Sequence, residues 1–167
     1  MKQVLLTESR NPYSLKGGKK VYNKKTIMKE LRSIASILVN RLNSKNQKQF
    51  YLKNAKFLYD VLVSKGQFKG FSDNGGVLKI KDDRRDIIND IIRFTYTGRR
   101  GKILNHMDKV AKVAREAVTG RLKDPAEKSG GTYFMRTEGR LSPGGKSKYL
   151  HTSGGNDFYT IKQEKKQ

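Results

Sequence analysis

Cysteine is missing from this chain. That absence excludes disulfides, a thiol nucleophile and any cysteine-bearing metal site, and it leaves the compartment open. Histidine is nearly missing as well: His106 and His151 are the only two and lie far apart. No His-Glu-x-x-His pattern and no calcium loop occurs, so no metal and no cofactor is expected. Gly17-Gly18 and Gly144-Gly145-Lys146-Ser147 lack the full phosphate-loop spacing and read as turns. No nucleophile-elbow motif surrounds a serine.

Long apolar runs are lacking too. Nothing is long enough to span a bilayer. Met1-Lys2-Gln3-Val4-Leu5-Leu6 is too short for a secretory signal and has no small-residue cleavage site. The expectation is a chain that acts without a leader, or one whose natural product carries further residues upstream.

Acidic residues are scarce: 15 Asp and Glu stand against 37 Lys and Arg, a net charge of +22. A charge of that size points to a polyanionic partner, of which nucleic acid is the commonest. Anionic cell-wall polymers and membrane surfaces also qualify. The charge is spread over Lys19, Lys20, Lys24 and Lys25, then Arg84, Arg85, Arg99 and Arg100, then Lys162, Lys165 and Lys166. No block reads as a basic arm, and each pair reads as solvated surface.

At 167 residues the chain is long enough for one domain with a modest core. Residues 2–9 read as a short helix that Pro12 cannot continue, and 10–23 as loop. Residues 24–42 carry the clearest helical face, with Ile27, Met28, Leu31, Ile34, Ala35, Leu38, Val39 and Leu42 in helical register. Residues 43–53 read as loop. Ala55, Leu58, Val61 and Leu62 make one helical face that ends at Ser64-Lys65-Gly66. Residues 66–76 read as an ordered loop, and Val77-Leu78-Lys79-Ile80 is too short to assign.

Asp82 or Asp83 can cap a helix running to about Tyr96, with Ile87, Ile88, Ile91, Ile92 and Thr95 inward. Asp86 and Asp90 read with Asp82 and Asp83 as capping and surface groups, interleaved with Arg84, Arg85 and Arg93. A further helix over about 103–119 has Leu104, Met107, Val110, Ala111, Ala114, Ala117 and Val118 inward, and Gly120 stops it. Beyond Asp124-Pro125 helical periodicity disappears. Thr132-Tyr133-Phe134-Met135 and Asp157-Phe158-Tyr159-Thr160-Ile161 are β-prone and pair as a ribbon across a 136–156 loop. The expected fold class is mainly α (α+β), with about five helices and a small β-ribbon near the C-terminus. Residues 1–161 form a single domain and 162–167 a basic tail.

Glu8 is the central candidate for chemistry. Glycoside cleavage needs a carboxyl group that is protonated when it meets the leaving oxygen. A helix-end Glu walled by apolar groups has its pKa raised for that role. Four short segments recur around this idea in fixed order: Val4-Leu5-Leu6-Thr7-Glu8-Ser9-Arg10, Ser36-Ile37-Leu38-Val39-Asn40-Arg41, Gly66-Gln67-Phe68 and Gly154-Gly155-Asn156-Asp157-Phe158-Tyr159.

In that order the segments resemble the SleB-type cell wall hydrolases, the spore-cortex-lytic group of the lysozyme-like superfamily. Thr7-Glu8-Ser9-Arg10 matches a Gly-Glu-Ala-Arg-like helix end. Leu38-Val39-Asn40-Arg41 matches Val-(Ile/Leu)-x-Asn-Arg, and Gly66-Gln67-Phe68 matches Gly-Gln-Phe after a helix. Val110–Gly120 with Asp124-Pro125 resembles an Ala-rich helix followed by Asp-Pro. Thr132-Tyr133-Phe134 resembles a Tyr-Phe strand, and the last segment is close to Gly-x-His-x-Phe-Tyr. The resemblance spans roughly residues 3–160. This chain departs from the pattern at Thr7 and Ser9, where the family prefers Gly and Ala, and it lacks the terminal histidine. Glu followed by Ser occurs in other lytic transglycosylases of the superfamily.

The resemblance implies a lysozyme-like domain that cleaves the bond between N-acetylmuramic acid and N-acetylglucosamine. Glu8 would protonate the leaving oxygen. It would then accept a proton from the muramyl 6-hydroxyl, giving a 1,6-anhydro product with one carboxyl group. A two-carboxylate hydrolase needs a partner at defined separation, and Asp73 is the candidate second carboxylate. Substrate-binding candidates are Ser9, Gln67, Phe68, Tyr133 and Tyr159. Gln67 offers an amide for an N-acetyl or hydroxyl group. Phe68 packs either on a sugar face or in the core. Tyr133 and Tyr159 offer hydroxyls to a cleft or to the scaffold. Asn40 and Arg41 read as holding a helix end.

The expected partners are peptidoglycan strands, anionic wall polymers and other phage tail proteins. The expected setting is a phage endolysin or virion-associated lysin, made in the host cytoplasm and acting on the bacterial wall. The alternative is an inactive lysozyme-like basic protein that binds nucleic acid or builds a virion.

Overall fold

The computed structural model describes residues 1–9, 24–43, 52, 54–64, 68, 70–96, 100–126, 133–137, 147–153 and 156–161. The expected loop 10–23, most of 43–53, Gln67 and the tail 162–167 lie outside the described residues. Within them the fold is mainly helical with some β structure, as expected. Five helices are described: α1 (Lys2–Glu8), α2 (Lys24–Asn43), α3 (Leu58–Val63), α4 (Asp82–Tyr96) and α5 (Arg100–Val118). The strands are β1 (Phe71–Asn74), β2 (Val77–Ile80), β3 (Tyr133–Thr137), β4 (Ser147–Ser153) and β5 (Asn156–Ile161).

Helix α2 is the centre of the molecule. Glu30, Leu31, Ser33, Ile34, Ala35, Ser36, Ile37 and Leu38 are all buried. Burial around the whole helix means that other elements cover every side. Helices α1, α3 and α5 pack on it, as do β3 and β4. Val4 and Leu5 of α1, Val61 and Leu62 of α3, and Val110, Val113, Ala114 and Ala117 of α5 join it in one core with Phe68, Phe71 and Phe158.

The inward face of α5 differs from the expected one. His106, Lys109, Val110, Val113, Ala114 and Ala117 are buried, whereas Leu104, Met107 and Val118 are exposed. The buried face of α5 holds the small Ala114 and Ala117 and takes His106 and Lys109 inward. Gly120 ends α5 as expected. At φ +70° it turns the chain so that Arg121 N–H reaches Glu116 O at 2.9 Å and Gly120 N–H reaches Ala117 O at 3.4 Å. These bonds take carbonyls that the helix leaves unpaired.

Residues 71–76, expected as loop, and the unassigned 77–80 form a hairpin. Strands β1 and β2 pair antiparallel from Phe71↔Ile80 to Asn74↔Val77. The two turn residues, Gly75 and Gly76, have φ of +61° and +81°. Positive φ at both central positions matches the twist of paired strands, and glycine adopts it without strain. The expected ribbon of β3 and β5 is present, running from Tyr133↔Thr160 to Thr137↔Asn156. It carries a third strand, β4, inside what reads as a 136–156 loop, and β5 is central in the order β3-β5-β4. Strand β4 shifts register between Tyr149 and His151, and this bulge disrupts the alternation by which a strand is read.

His151 fastens this sheet to α2. Its Nε2 lies 2.9 Å from Ser33 Oγ, and its ring stacks on Phe158 with centroids 4.9 Å apart. Among the described residues no helix is long and apolar enough to cross a membrane.

Candidate functional site around Glu8

Helix α1 has only seven residues and no basic residue in its last turn. Its final carbonyls therefore need partners from elsewhere. Arg84, in the first turn of α4, donates from Nη1 to Thr7 O at 3.2 Å. Asn156, at the start of β5, donates from Nδ2 to Glu8 O at 3.2 Å. Two side chains remote in sequence thus pin consecutive carbonyls at the point where Glu8 leaves the helix.

The Glu8 carboxylate meets the same guanidinium, with Oε1 3.1 Å from Arg84 Nη2. The Glu8 side chain is only 12% exposed and that of Arg84 24%. Two effects oppose each other here. Burial raises the Glu8 pKa above its ordinary value of 4.5, Arg84 lowers it, and Asp83 raises it. Burial outweighs the ion pair, so the net direction is upward. A carboxyl shifted this way suits a proton donor, and the adjacent guanidinium stabilises the anion left after transfer.

Arg84 reaches this position because residue 70 is glycine. Gly70 has φ +100°, and a Cβ built there would lie 2.7 Å from Arg84 Cγ. The expectation of Arg84 as a surface charge is thus corrected. Asp83 also differs from the expected N-cap: it lies inside the first turn and accepts from Arg84 N–H at 2.9 Å.

Beneath Glu8 lies a second carboxyl group. Glu30 is fully buried on α2, and its Oε1 accepts from Asn156 Nδ2 at 3.1 Å. Ser9, next to Glu8, is buried. Its Oγ has no hydrogen-bond partner among the described residues.

The other candidates are placed differently. Asp73 is exposed in the β1–β2 hairpin. It accepts from Tyr59 Oη at 2.5 Å and Gly76 N at 3.4 Å, and the Tyr59 pKa is pushed up to about 12, chiefly by that hydrogen bond. Its partners belong to the hairpin and α3. Phe68 joins the core, with the Arg41 guanidinium 5.3 Å from its ring centroid. Burial lowers the Arg41 pKa to about 10. Asn40 Nδ2 donates to Asp124 Oδ2 at 3.0 Å, tying the end of α2 to the Asp-Pro turn, and Asp124 Oδ1 also accepts from Ala126 N.

Tyr159 is buried and meets Tyr149 edge-on, centroids 5.7 Å apart. Alternation along β5 puts Asn156 and Phe158 on the α2 side and Tyr159 on the other. Tyr159 therefore lies on the opposite face of β5 from Asn156. Tyr133 opens β3, and its side chain lies outside the described residues, as does Gln67. Among the described residues no His, Cys, Asp and Glu cluster is arranged to hold a metal.

No family model, curated protein or solved structure matches this chain. Its chemistry is therefore read from the cluster of Glu8, Arg84, Asn156, Glu30 and Ser9, and from the order of its motifs.

Three members of that cluster are not among the expected site residues. Glu30 is legible in retrospect: it stands three residues after Ile27 and four before Ile34, within the apolar stripe of α2, where a carboxylate is out of place. Asn156 lies inside the last motif. Arg84 has no comparable signal, because its role depends on α4 packing beside the end of α1.

Proposed function

We propose that this chain cleaves the glycan strands of peptidoglycan at the bond between N-acetylmuramic acid and N-acetylglucosamine, as a lytic transglycosylase or muramidase of the lysozyme-like kind. The observation that carries the reading is the Glu8 carboxyl. It is nearly buried, raised in pKa, and held at a helix end by residues from α4 and β5. The motif order that resembles the SleB-type hydrolases supports it independently.

In the first step the protonated Glu8 gives its proton to the glycosidic oxygen as the bond to the muramyl anomeric carbon breaks. The resulting carboxylate is stabilised by Arg84. It then takes the proton of the muramyl 6-hydroxyl as that oxygen closes on the anomeric carbon, giving the 1,6-anhydro sugar and restoring the acid. One carboxyl group serves both steps. This route is favoured because it needs only the one carboxyl group, whereas hydrolysis needs a second at a defined separation.

The +22 charge draws the protein to phosphate- and carboxylate-rich wall polymers by long-range attraction. In this reading it is a phage endolysin or virion-associated lysin acting on the bacterial wall. The same charge favours a second reading, a basic nucleic-acid-binding or virion structural protein without activity.

Clearing of purified wall suspensions separates the two. The wild type should clear them, and Glu8→Gln, with unchanged circular dichroism, should not. Tight salt-sensitive DNA binding by both proteins, with no clearing by either, would favour the second reading.

A further inference from the structure

Glu30 is a buried titratable group that the proposed reaction does not use. Burying a carboxyl group in a helix at the centre of a core is costly relative to an apolar side chain. Packing alone does not account for its presence there.

Its contact with Asn156 points to a role. One amide nitrogen carries two N–H donors. Asn156 Nδ2 lies 3.1 Å from Glu30 Oε1 and 3.2 Å from Glu8 O. Both neighbours are acceptors on this side, so the amide must present its NH2 group. The flipped amide would set its oxygen against a carbonyl and a carboxyl oxygen. The Glu30 carboxyl thus fixes which way Asn156 points, and Asn156 fixes the last carbonyl of α1. A helix of seven residues does not hold itself in place in isolation, so the position of Glu8 depends on such external ties. Arg84 supplies one, to Thr7 O. Asn156 supplies the next, from the opposite partner element.

We propose that Glu30 and Asn156 are positioning residues for Glu8, a buried carboxyl–amide link that sets where the catalytic carboxyl stands against the glycosidic oxygen. The inference rests on the reading of Glu8 as the acid/base. It assigns α2 and β5, the central helix and the central strand, a part in the reaction without contact with substrate.

The test uses initial rates on solubilised glycan strands for the wild type, Asn156→Asp, Asn156→Ala, Glu30→Met, the double variant Asn156→Ala/Glu30→Met, and Glu8→Gln. Asn156→Asp keeps the shape and removes the donor. Asn156→Ala removes the donor without adding charge, should the first variant not fold. Folded Asn156 and Glu30 variants should lose kcat about tenfold or more, since small misplacements of a catalytic group are costly. Their KM should stay within about twofold, because substrate contacts are intact. The double variant should be no slower than the worse single one, as expected for two residues acting through one link.

Wild-type kcat in folded Asn156→Ala, or losses that multiply in the double variant, would overturn the link. An inactive Glu8→Gln beside a fully active Asn156→Ala would remove only this inference. A fully active Glu8→Gln would remove the reading of Glu8 itself.

Discussion

The Arg84 guanidinium stands 3.1 Å from the Glu8 carboxylate, yet the Glu8 pKa is raised, because burial outweighs the ion pair. This balance makes the acid tunable from α4. The protonated fraction of Glu8 should persist above the ordinary carboxyl range, so the alkaline limb of activity should lie above it. Arg84→Met removes the influence that lowers the pKa and should move that limb further up. Asp83→Asn removes a raising influence and should move it down. A pH–rate profile of the three proteins checks both signs.

Gly70 should tolerate no side chain. At φ +100°, with a Cβ placed 2.7 Å from Arg84 Cγ, Gly70→Ala strains the backbone and displaces Arg84. The expected cost is about 1–3 kcal/mol, measured by denaturant unfolding, together with an altered pH–rate profile. Gly120→Ala, which meets nothing within 4 Å, shares only the backbone strain and should leave that profile unchanged.

His106 should make the fold acid-sensitive. It is 1% exposed, and its pKa is lowered from 6.5 to about 4, first by burial and then by Lys109. The folded state therefore disfavours its protonated form. Stability is fully present above pH 6.5 and is lost as pH falls toward 4, by on the order of 3 kcal/mol. His106→Leu should lose less stability over that interval, as read from unfolding free energies at several pH values.

Asp73→Asn should leave activity within about twofold of wild type, because the proposed one-carboxylate route uses Glu8 alone. Its hydrogen bond to Tyr59 is exposed, so stability should change little. A tenfold fall in kcat would restore Asp73 as a second carboxylate.

Leu31→Ala should cost about 2–5 kcal/mol by emptying the centre of α2. Leu31 is fully buried and belongs to the single core that joins α1, α2, α3 and α5. Chemical denaturation measures the change.

The helices were readable because their signals are local. The stripe of α2 and the Gly120 stop both follow from spacing within one element. The inward face of α5 does not follow hydrophobicity alone: Ala114, Ala117, His106 and Lys109 are buried while Leu104 and Met107 are exposed. The β1–β2 hairpin hid in short, polar strands joined by Gly75-Gly76, and β4 hid behind its bulge. At the site, Glu8 was visible as a helix-end carboxyl. Arg84 and Asn156 were not, because they lie 76 and 148 residues away in sequence and meet Glu8 only after folding. The surroundings of Tyr159 and Asp73 were not legible either, because strand alternation sets the face of one and the hairpin turn sets the partners of the other.

The most direct test is mass spectrometry of purified peptidoglycan after incubation with the wild type and with Glu8→Gln. The account predicts anhydromuropeptides from the wild type and none from Glu8→Gln. Reducing-end products would contradict the one-carboxylate route, and no glycan products from walls of several types would contradict the enzyme reading itself.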